Sequence, residues 1–379
     1  MKKYINWLAY ISLTIAFIIG FVNFNNTKKD EVSQLTYVVD NKLVLEEYDT
    51  ETYVVLSNDS TVGYLSMAEA QGYGGPLSVA IVANNSGLIT DIELINSYET
   101  VSFLAKLSNK KYYDQFYEKA VNKRFVVNDD LNAVSGATVS SVAIAEAARK
   151  AAFKIAKNNL KIETPEIKKT FRFTPKEGIA LMLFILGIIT AFLGKKKLRY
   201  FSLFLGLIFL GFLFNASLSI THFGRIILGY FPDIYTHFIW WLLMAGTLTI
   251  IIGWGKNVYC STLCPFHASQ MLLHKISGIN IKLPPKQARI LAKTPFLLLW
   301  LSLMLIFLSS NPTISSYEPF AMLFSLEGVG IQWYILPASL IGALFFSNFF
   351  CRFFCPVGAT FKWIQKKRKQ VITLISIQK

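Results

Sequence analysis

Two short stretches decide how this chain is organised: Cys260-Ser-Thr-Leu-Cys264-Pro265 and Cys351-Arg-Phe-Phe-Cys355-Pro356. They contain all four cysteines of the chain and follow one pattern, Cys-x-x-x-Cys-Pro, which continues in parallel as far as Ser269 and Thr360. Residues four apart share one face of a helical turn, and a proline ends the turn because it lacks an N–H donor. Each stretch is therefore predicted to present two thiols side by side.

Four thiols in two matched pairs are typical of a metal centre, either an iron–sulfur cluster or a zinc ion with four cysteine ligands. Two disulfides are the alternative. Disulfides persist in oxidising compartments, so the choice depends on the membrane side on which the cysteines lie.

The composition indicates a membrane protein with several spans. The 379 residues are 53% hydrophobic and 15% aromatic, and the mean hydropathy is +0.42, which is too apolar for a soluble chain of this size. The net charge of +15 is uneven, because residues 25–170 carry −3 and the remainder carries +18. A basic excess confined to the apolar part is typical of orientation in a membrane, so we expect no nucleic-acid partner.

Six apolar segments are near the length needed to cross about 30 Å of membrane hydrocarbon. They cover residues 4–24, 177–194, 199–219, 236–254, 294–310 and 331–349. Basic loops lie at the cytoplasmic side, so both termini and both cysteine pairs are predicted to be cytoplasmic. The reducing cytoplasm argues against disulfides. It favours a metal centre held by Cys260, Cys264, Cys351 and Cys355.

The predicted fold class follows from these segments. Residues 1–24 form a transmembrane anchor rather than a cleaved signal, because the run is long and no small-x-small cleavage site follows it. Residues 25–170 form an α+β domain outside the cytoplasm of a bacterial inner membrane, and residues 171–379 form a five-helix membrane domain. The last four of the six spans make two hairpins, each ending in the cysteine motif, and thus a tandem repeat.

The polar domain contains predicted strands and one informative helix start. We expect strands at 52–56, 77–82 and 89–94 and helices near 109–121 and 139–158. Residues 132–141 read Asn-Ala-Val-Ser-Gly-Ala-Thr-Val-Ser-Ser before an alanine-rich run, which predicts a helix N-terminus capped by hydroxyl side chains. Such a terminus favours a phosphate, although an ordinary capped helix has the same pattern.

The stretch Ser135-Gly136-Ala137-Thr138 resembles the covalent FMN attachment motif of the FMN-binding domains in NqrC and RnfG subunits and in NosR/NirI-type membrane proteins. The resemblance implies that a flavin transferase joins the FMN phosphate to Thr138. It also implies cofactor contacts from Ser135, Gly136, Ala137, Gly75, Glu99 and Thr100. The chain departs from the family pattern at Asn132, where Asp is usual, and around Glu99, where only Glu99 and Thr100 carry over.

The two cysteine stretches look like the Cys-x-x-x-Cys-Pro signatures of NosR/NirI and NapH-type electron-transfer proteins. The resemblance favours a 4Fe–4S over a 2Fe–2S centre, although four thiolates can hold either. NosR-like proteins usually continue into a ferredoxin domain that contains further cysteines. All four cysteines of this chain lie in the two motifs, so we expect a separate electron donor.

These features predict an electron-transfer component rather than a stand-alone enzyme. Electrons would pass between the cytoplasmic iron–sulfur centre and FMN on Thr138 outside. A ferredoxin-like donor or quinol would act on one side and a periplasmic redox protein, such as a reductase or a maturation partner, on the other. Three alternatives remain: a redox-sensing regulatory flavoprotein, a quinol-oxidising donor, and a structural zinc protein.

Two histidines near span ends are further candidates. His222 and His237 lie at the outer ends of the third and fourth spans, where ionisable groups invite a functional interpretation. They could form a quinol pocket or ligate a haem, whereas capping and packing are the structural alternatives. Trp240 is predicted to be an interfacial anchor.

Overall fold

The computed structural model describes residues 2–38, 44–49, 52–57, 60–99, 101–167, 173–326, 328 and 330–377. Thr100, one of the expected cofactor contacts, lies outside these residues. The described chain forms a sheet domain, made of the β-strands and the first helices that follow them, and a helical bundle made of the remaining helices.

The sheet domain is built on an antiparallel meander in which neighbouring strands pair in chain order. Its strands are β1 (Val44–Asp49), β2 (Thr52–Ser57), β3 (Ser60–Gln71), β4 (Pro76–Asn84) and β5 (Ile89–Ser97). The predicted strands correspond to β2, β4 and β5. The sequence did not indicate β1, which is rich in acidic residues, or β3, whose small and polar residues break the alternation of a half-buried strand.

One helix covers this sheet. After α1 (Lys2–Val38) and the strands come α2 (Val101–Asn109), a 3-10 turn at Tyr113–Phe116 and α3 (Thr138–Asn158). α3 packs a face of alanines against β3 and β4. The helix predicted near 109–121 is wrong, because Lys111 and Glu118 adopt positive φ angles of 50° and 60°, which an α-helix cannot contain.

The helical bundle follows. Its helices are α4 (Pro175–Leu193), α5 (Lys196–Gly206, continued by π-helical turns over Leu207–Leu213), α6 (Ile220–Leu228), α7 (Phe238–Trp254), α8 (Pro265–Ser277), α9 (Pro285–Leu291), α10 (Thr294–Ser309), α11 (Phe320–Ser325), α12 (Gln332–Phe345), α13 (Phe349–Phe353) and α14 (Pro356–Ile377). Within the described ranges, three stretches are long and apolar enough to cross a membrane, namely Trp7–Phe24, Pro175–Leu193 and Pro285–Ser309. The apolar helices α7 and α12 are shorter. The six-span layout stays a prediction.

The third predicted span, 199–219, ends earlier than expected. Its helix stops at Leu213 because Asn215 takes a positive φ of 46°. The chain then turns, and Ser219 caps a new helix, α6, in a capping box with His222. Residues 214–219 are therefore an irregular segment between two helices, and they face the interior of the bundle.

The order of elements in the bundle occurs twice. The series α7, the π-helical turn Tyr259–Leu263 and α8 corresponds to the series α12, α13 and α14. In each copy the turn holds the first cysteine, the second follows it, and a proline begins the next helix. This agrees with the tandem repeat predicted from the two cysteine motifs.

The alanine face of α3 gives a test of the sheet domain. Ala148 is fully buried there, so Ala148→Leu should lower the free energy of unfolding by about 1–3 kcal/mol through overpacking. Lys157→Leu on the exposed side of the same helix should change it by no more than about 0.5 kcal/mol. Thermal melts of the full chain in detergent measure both, and equal melting temperatures for the two variants would contradict this packing.

Candidate cofactor sites

The two cysteine motifs have the same backbone hydrogen bonding. The Cys264 N–H donates to the Tyr259 carbonyl at 2.8 Å, and the Cys355 N–H donates to the Phe350 carbonyl at 2.9 Å. In both copies α8 or α14 starts at the proline directly after the second cysteine. The sequence repeat is thus also a structural repeat.

Each second cysteine lies at the N-terminus of a helix. The Gly358 N–H donates to Cys355 Sγ at 3.3 Å, and the backbone N–H groups of His267 and Phe266 are directed at Cys264 in the same way. A helix N-terminus favours negative charge and stabilises a thiolate. These positions therefore suit thiolates that bind a metal centre.

A glutamine joins the two motifs. Gln270 on α8 donates from Nε2 to Cys351 Sγ at 3.2 Å and accepts from the Phe350 N–H at 2.8 Å. Its side chain is buried and connects the helix after the first cysteine pair to the turn that holds the second. Sequence analysis did not identify this residue, because only the folded chain brings it to the second motif.

All four cysteines line one cavity of about 420 Å³, the cysteine cavity. Among the described residues, no group of three or more His, Cys, Asp or Glu converges closely enough for a single metal ion. A zinc site with four cysteine ligands requires four sulfurs at about 2.3 Å from one ion. Four cysteine sulfurs around one cavity are the donor set of an iron–sulfur cluster as well as of a zinc ion.

Basic residues also border the cysteine cavity. Arg352 and Lys362 line it beside the thiols. Arg199 lies 3.4 Å from the ring of His267, which lines the cavity as well. Positive charge close to several thiolates offsets their mutual repulsion. This gives a physical reason for Arg352 inside the second motif, which the sequence alone left unexplained.

The Ser135–Thr138 stretch forms the turn into α3. Gly136 has a positive φ of 82°, a conformation that glycine adopts at little cost. Thr138 is the first helical residue and is exposed. The expected hydroxyl cap is wrong, because the buried Ala137 is the N-cap and makes no side-chain hydrogen bond. The first-turn N–H groups are therefore without a capping side chain, which suits a phosphate.

Glu99 connects this helix start to the glycine-rich loop Gly72–Gly75. The Ser140 hydroxyl donates to one Glu99 oxygen at 3.0 Å, and the Tyr73 N–H donates to the other. Burial raises the pKa of the Glu99 carboxyl, and these two hydrogen bonds oppose the shift. A side chain at Gly72 would collide with the Glu99 carboxylate and would displace it from the Tyr73 N–H.

Gly75 and Asn132 are the other residues of the sheet domain that the sequence singled out. Gly75 closes the loop by accepting from the Gly72 N–H at 2.8 Å, and an added Cβ there would lie 3.0 Å from Tyr98. Asn132 is exposed, and its backbone N–H and C=O pair with the side chain of Gln115.

The glycine-rich loop contacts the helical bundle. Arg225 on α6 is fully buried and donates from Nη1 to the Tyr73 carbonyl. The Tyr73 ring packs edge-to-face on His222, with centroids 5.7 Å apart. Tyr73 was not singled out by the sequence, although it lies inside the glycine-rich stretch.

A second cavity, of about 150 Å³, lies between the sheet domain and the bundle. We call it the interdomain cavity. Tyr73 and Val139, next to Thr138, form its wall on the sheet-domain side. The bundle contributes most of the rest, including both predicted histidines, His222 and His237. Trp240 also lines it and is 9% exposed, so its prediction as an interfacial anchor is wrong.

The two cavities share a wall. Leu218, in the irregular segment before α6, lines both the interdomain cavity and the cysteine cavity. Its N–H donates to the Tyr259 hydroxyl at 2.8 Å, and that hydroxyl also lies within hydrogen-bonding range of the Cys264 thiol. Leu218 and the hydrogen-bonded Tyr259 thus lie between the interdomain cavity and the cysteine cavity.

Comparison with known families agrees with both sites. A model of the FMN-binding domain matches residues 72–152. A model of a 4Fe-4S binding domain matches residues 236–284 and 334–374, which are the two copies of the repeat. The chain thus combines an FMN-binding domain with a 4Fe-4S binding domain.

Two curated proteins are similar to about half of the chain. The chain is 28% identical over 200 residues to the regulatory protein NosR of Pseudomonas aeruginosa, covering 45% of this chain and 27% of NosR. It is 25% identical over 223 residues to protein NirI of Paracoccus denitrificans, covering 50% of this chain and 32% of NirI. It is NosR/NirI-like, and it spans about a third or less of the length of these relatives.

The sheet domain is also similar to one component of a redox complex. It matches the RnfG-type component of the proton-translocating ferredoxin:NAD(+) oxidoreductase complex of Clostridium ljungdahlii at 28% identity over 104 residues. This match covers 26% of the chain and 56% of that component.

Glu99 provides a test of the contact between the loop and α3. Glu99→Gln puts an NH2 group where a buried donor needs an acceptor, which costs about 1–3 kcal/mol, so the variant should melt at a lower temperature. Burial raises the pKa of Glu99 in the folded state. Wild type therefore loses stability as pH rises above the ordinary carboxyl value of about 4.3, and the deficit of the variant should shrink from acidic to neutral pH.

The matched control is Glu166→Gln, at an exposed carboxylate, which should melt as wild type does. A deficit of Glu99→Gln that grows toward neutral pH would contradict the raised pKa.

Proposed function

We propose that the chain transfers electrons across the membrane, between a cytoplasmic-side iron–sulfur centre and FMN attached to Thr138 outside. The observation that carries this proposal is Leu218, the residue common to both cavities. A relay needs its two centres close together, whereas a bilayer places cofactors on opposite faces about 30 Å apart. Two cavities lined by one common residue support a shorter separation than that.

The residues at each end fit the two groups. Cys260, Cys264, Cys351 and Cys355 would hold the iron–sulfur cluster, with helix N-termini and nearby basic side chains favouring the thiolates. Thr138, exposed at an uncapped helix start, would carry FMN through its phosphate. FMN exchanges one or two electrons when bound, and the protein supplies position and electrostatics.

The residues between the two cavities are buried. Leu218 is 2% exposed and Tyr259 is 1% exposed, and the 2.8 Å hydrogen bond fixes one against the other. The Tyr259 hydroxyl lies between Cys264 and the irregular segment. These residues would hold the two centres at a constant separation.

The proposed orientation and partners follow from the charge pattern and the resemblance. Both termini and the cysteine side would face the cytoplasm, where a ferredoxin-like protein or quinol exchanges electrons. The sheet domain would face the periplasm or cell surface and serve a redox protein there, such as a reductase or a maturation partner. A flavin transferase would attach the FMN.

A regulatory role is the second candidate, and the similarity to regulatory protein NosR favours it. In that role the same two groups would report redox state without sustained flux. Turnover separates the two proposals, since a sensor would accept electrons without passing them to an added acceptor.

The cluster ligands can be tested with Cys264→Ala. This variant should lose most of its iron and acid-labile sulfide, because a buried cluster with three thiolates is poorly held. Ser261→Ala, between the same cysteines, removes only a hydroxyl that donates to the Asn257 carbonyl and should keep both. Iron, zinc and sulfide are measured in anaerobically purified protein. Zinc without iron in wild type would refute the proposed electron transfer through an iron–sulfur cluster.

The same pair of variants tests the transfer itself. In inverted membrane vesicles, a membrane-impermeant reductant added at the cytoplasmic face should reduce the flavin of wild type and of Ser261→Ala, but not that of Cys264→Ala. Equal rates of flavin reduction in all three would show that electrons bypass the cysteines.

The attachment residue can be tested with Thr138→Ala. Co-expression with a flavin transferase should give a fluorescent band on a denaturing gel for wild type and for Ser86→Ala, which removes an exposed hydroxyl outside the attachment motif. The band should be absent for Thr138→Ala, because no hydroxyl remains to form the phosphoester. A fluorescent Thr138→Ala band, or a dark wild-type band, would rule out covalent attachment at this residue.

A further inference from the structure

The interdomain cavity is bordered by buried polar atoms that have no hydrogen-bond partner in the described part of the chain. These atoms are Asn215 Oδ1, Ser217 Oγ, His222 Nε2, His237 Nε2 and Trp240 Nε1, and all five residues line the cavity. Buried polar groups are normally paired. A cluster of unpaired ones around a single cavity points to a polar ligand that pairs them.

The hydrogen bonds of the same residues reveal what each atom offers. His222 Nδ1 accepts from the Ser219 N–H at 3.1 Å, so its proton is on Nε2, which is a donor. Trp240 Nε1–H can only donate. The Asn215 amide group donates from Nδ2 to the Ala321 carbonyl at 3.4 Å, so Oδ1 is an acceptor. These three side chains thus offer two donors and one acceptor to the cavity.

This set is complementary to one edge of a flavin. The pyrimidine edge of isoalloxazine presents a carbonyl, an N–H and a second carbonyl, which need a donor, an acceptor and a donor. We propose, on the basis of the proposed FMN attachment at Thr138, that the isoalloxazine ring binds in the interdomain cavity. His222 and Trp240 donate to its carbonyls there, and Asn215 accepts from its N–H.

The lining of the interdomain cavity and its position next to Thr138 suit an isoalloxazine ring. Val139, which directly follows Thr138, forms part of the cavity wall, and the phosphate and ribityl chain of FMN are long enough to reach past one residue. The side chains of Phe214, Leu218 and Leu243 line the cavity and supply apolar surface for a planar ring.

A quinone fits the same cavity less well. Its ring carbonyls only accept hydrogen bonds, so they could pair His222 and Trp240 but would leave Asn215 Oδ1 without a donor. The polar atoms therefore favour isoalloxazine, and they assign part of the flavin site to the helical bundle rather than to the sheet domain.

The test uses the full holoprotein with its covalent flavin and measures quenching of flavin fluorescence by iodide. In wild type the ring should be shielded, with a quenching constant severalfold below that of free FMN. Trp240→Phe removes one donor but keeps an aromatic ring. It should raise the quenching constant severalfold while covalent flavin, read on a denaturing gel, is unchanged.

Trp254→Phe is the matched control, because Trp254 is on the same helix α7 but exposed at its other end. Its quenching constant should equal that of wild type. His222→Leu is a second variant that removes the other donor and should expose the ring in the same way, should Trp240→Phe fail to fold.

Two results would overturn the inference while leaving the proposed function intact. One is a wild-type ring as accessible to iodide as free FMN. The other is a stoichiometric quinone recovered by solvent extraction from protein whose flavin is freely quenched. Wild type that carries no flavin would instead overturn both the inference and the proposed function.

Discussion

The arrangement of the whole molecule depends on one buried cation. Arg225 is fully buried on α6 and donates to the backbone carbonyl of Tyr73 in the sheet domain, while the carboxylate of Glu99 supplies the nearby opposite charge. Burying a guanidinium without partners is costly, so this contact is favourable only when the glycine-rich loop is in place. The position of the sheet domain on the bundle, and hence of the interdomain cavity, follows from it.

The cysteine cavity of the helical bundle is formed by two copies of one structural repeat. Each copy ends a helix, turns through the first cysteine and starts a new helix directly after the second. The copies then differ where they face the cavity, because His267 in the first corresponds to Gly358 in the second. The second copy leaves room at Gly358, whose N–H reaches the Cys355 sulfur. The first places a ring beside Arg199. The repeat thus provides two corresponding pairs of thiols. Sequence differences between the copies make the surroundings of the two pairs unequal.

Local features of this protein could be predicted from its sequence. The helix start at Thr138, the strands β2, β4 and β5, and the two cysteine turns all depend on residues close together in the chain. The third span was predicted too long because apolar composition does not reveal the left-handed backbone at Asn215.

The interdomain contacts could not be predicted in the same way. Trp240 looked like an interfacial anchor, and only packing against His222 and Arg225 makes it a cavity residue. Arg225 and Gln270 likewise acquire partners that are 152 and 80 residues away in the sequence. Such pairings depend on long-range assembly, which neither periodicity nor composition encodes.

The sheet domain is joined to the bundle through the chain on both sides, since α1 precedes it and α4 follows it. α1 is itself anchored to α10, where Ser12 accepts from the Trp300 indole N–H and the Gly20 carbonyl accepts from Ser310. The Tyr73–Arg225 contact is therefore intramolecular, and tethered partners meet at effective concentrations of about the millimolar range. A separate redox protein that used this same face of the sheet domain would have to compete with that concentration. Electron exchange with such a protein is thus favoured on the other faces of the sheet domain. The covalent connection therefore selects against partners that bind the face held by Arg225.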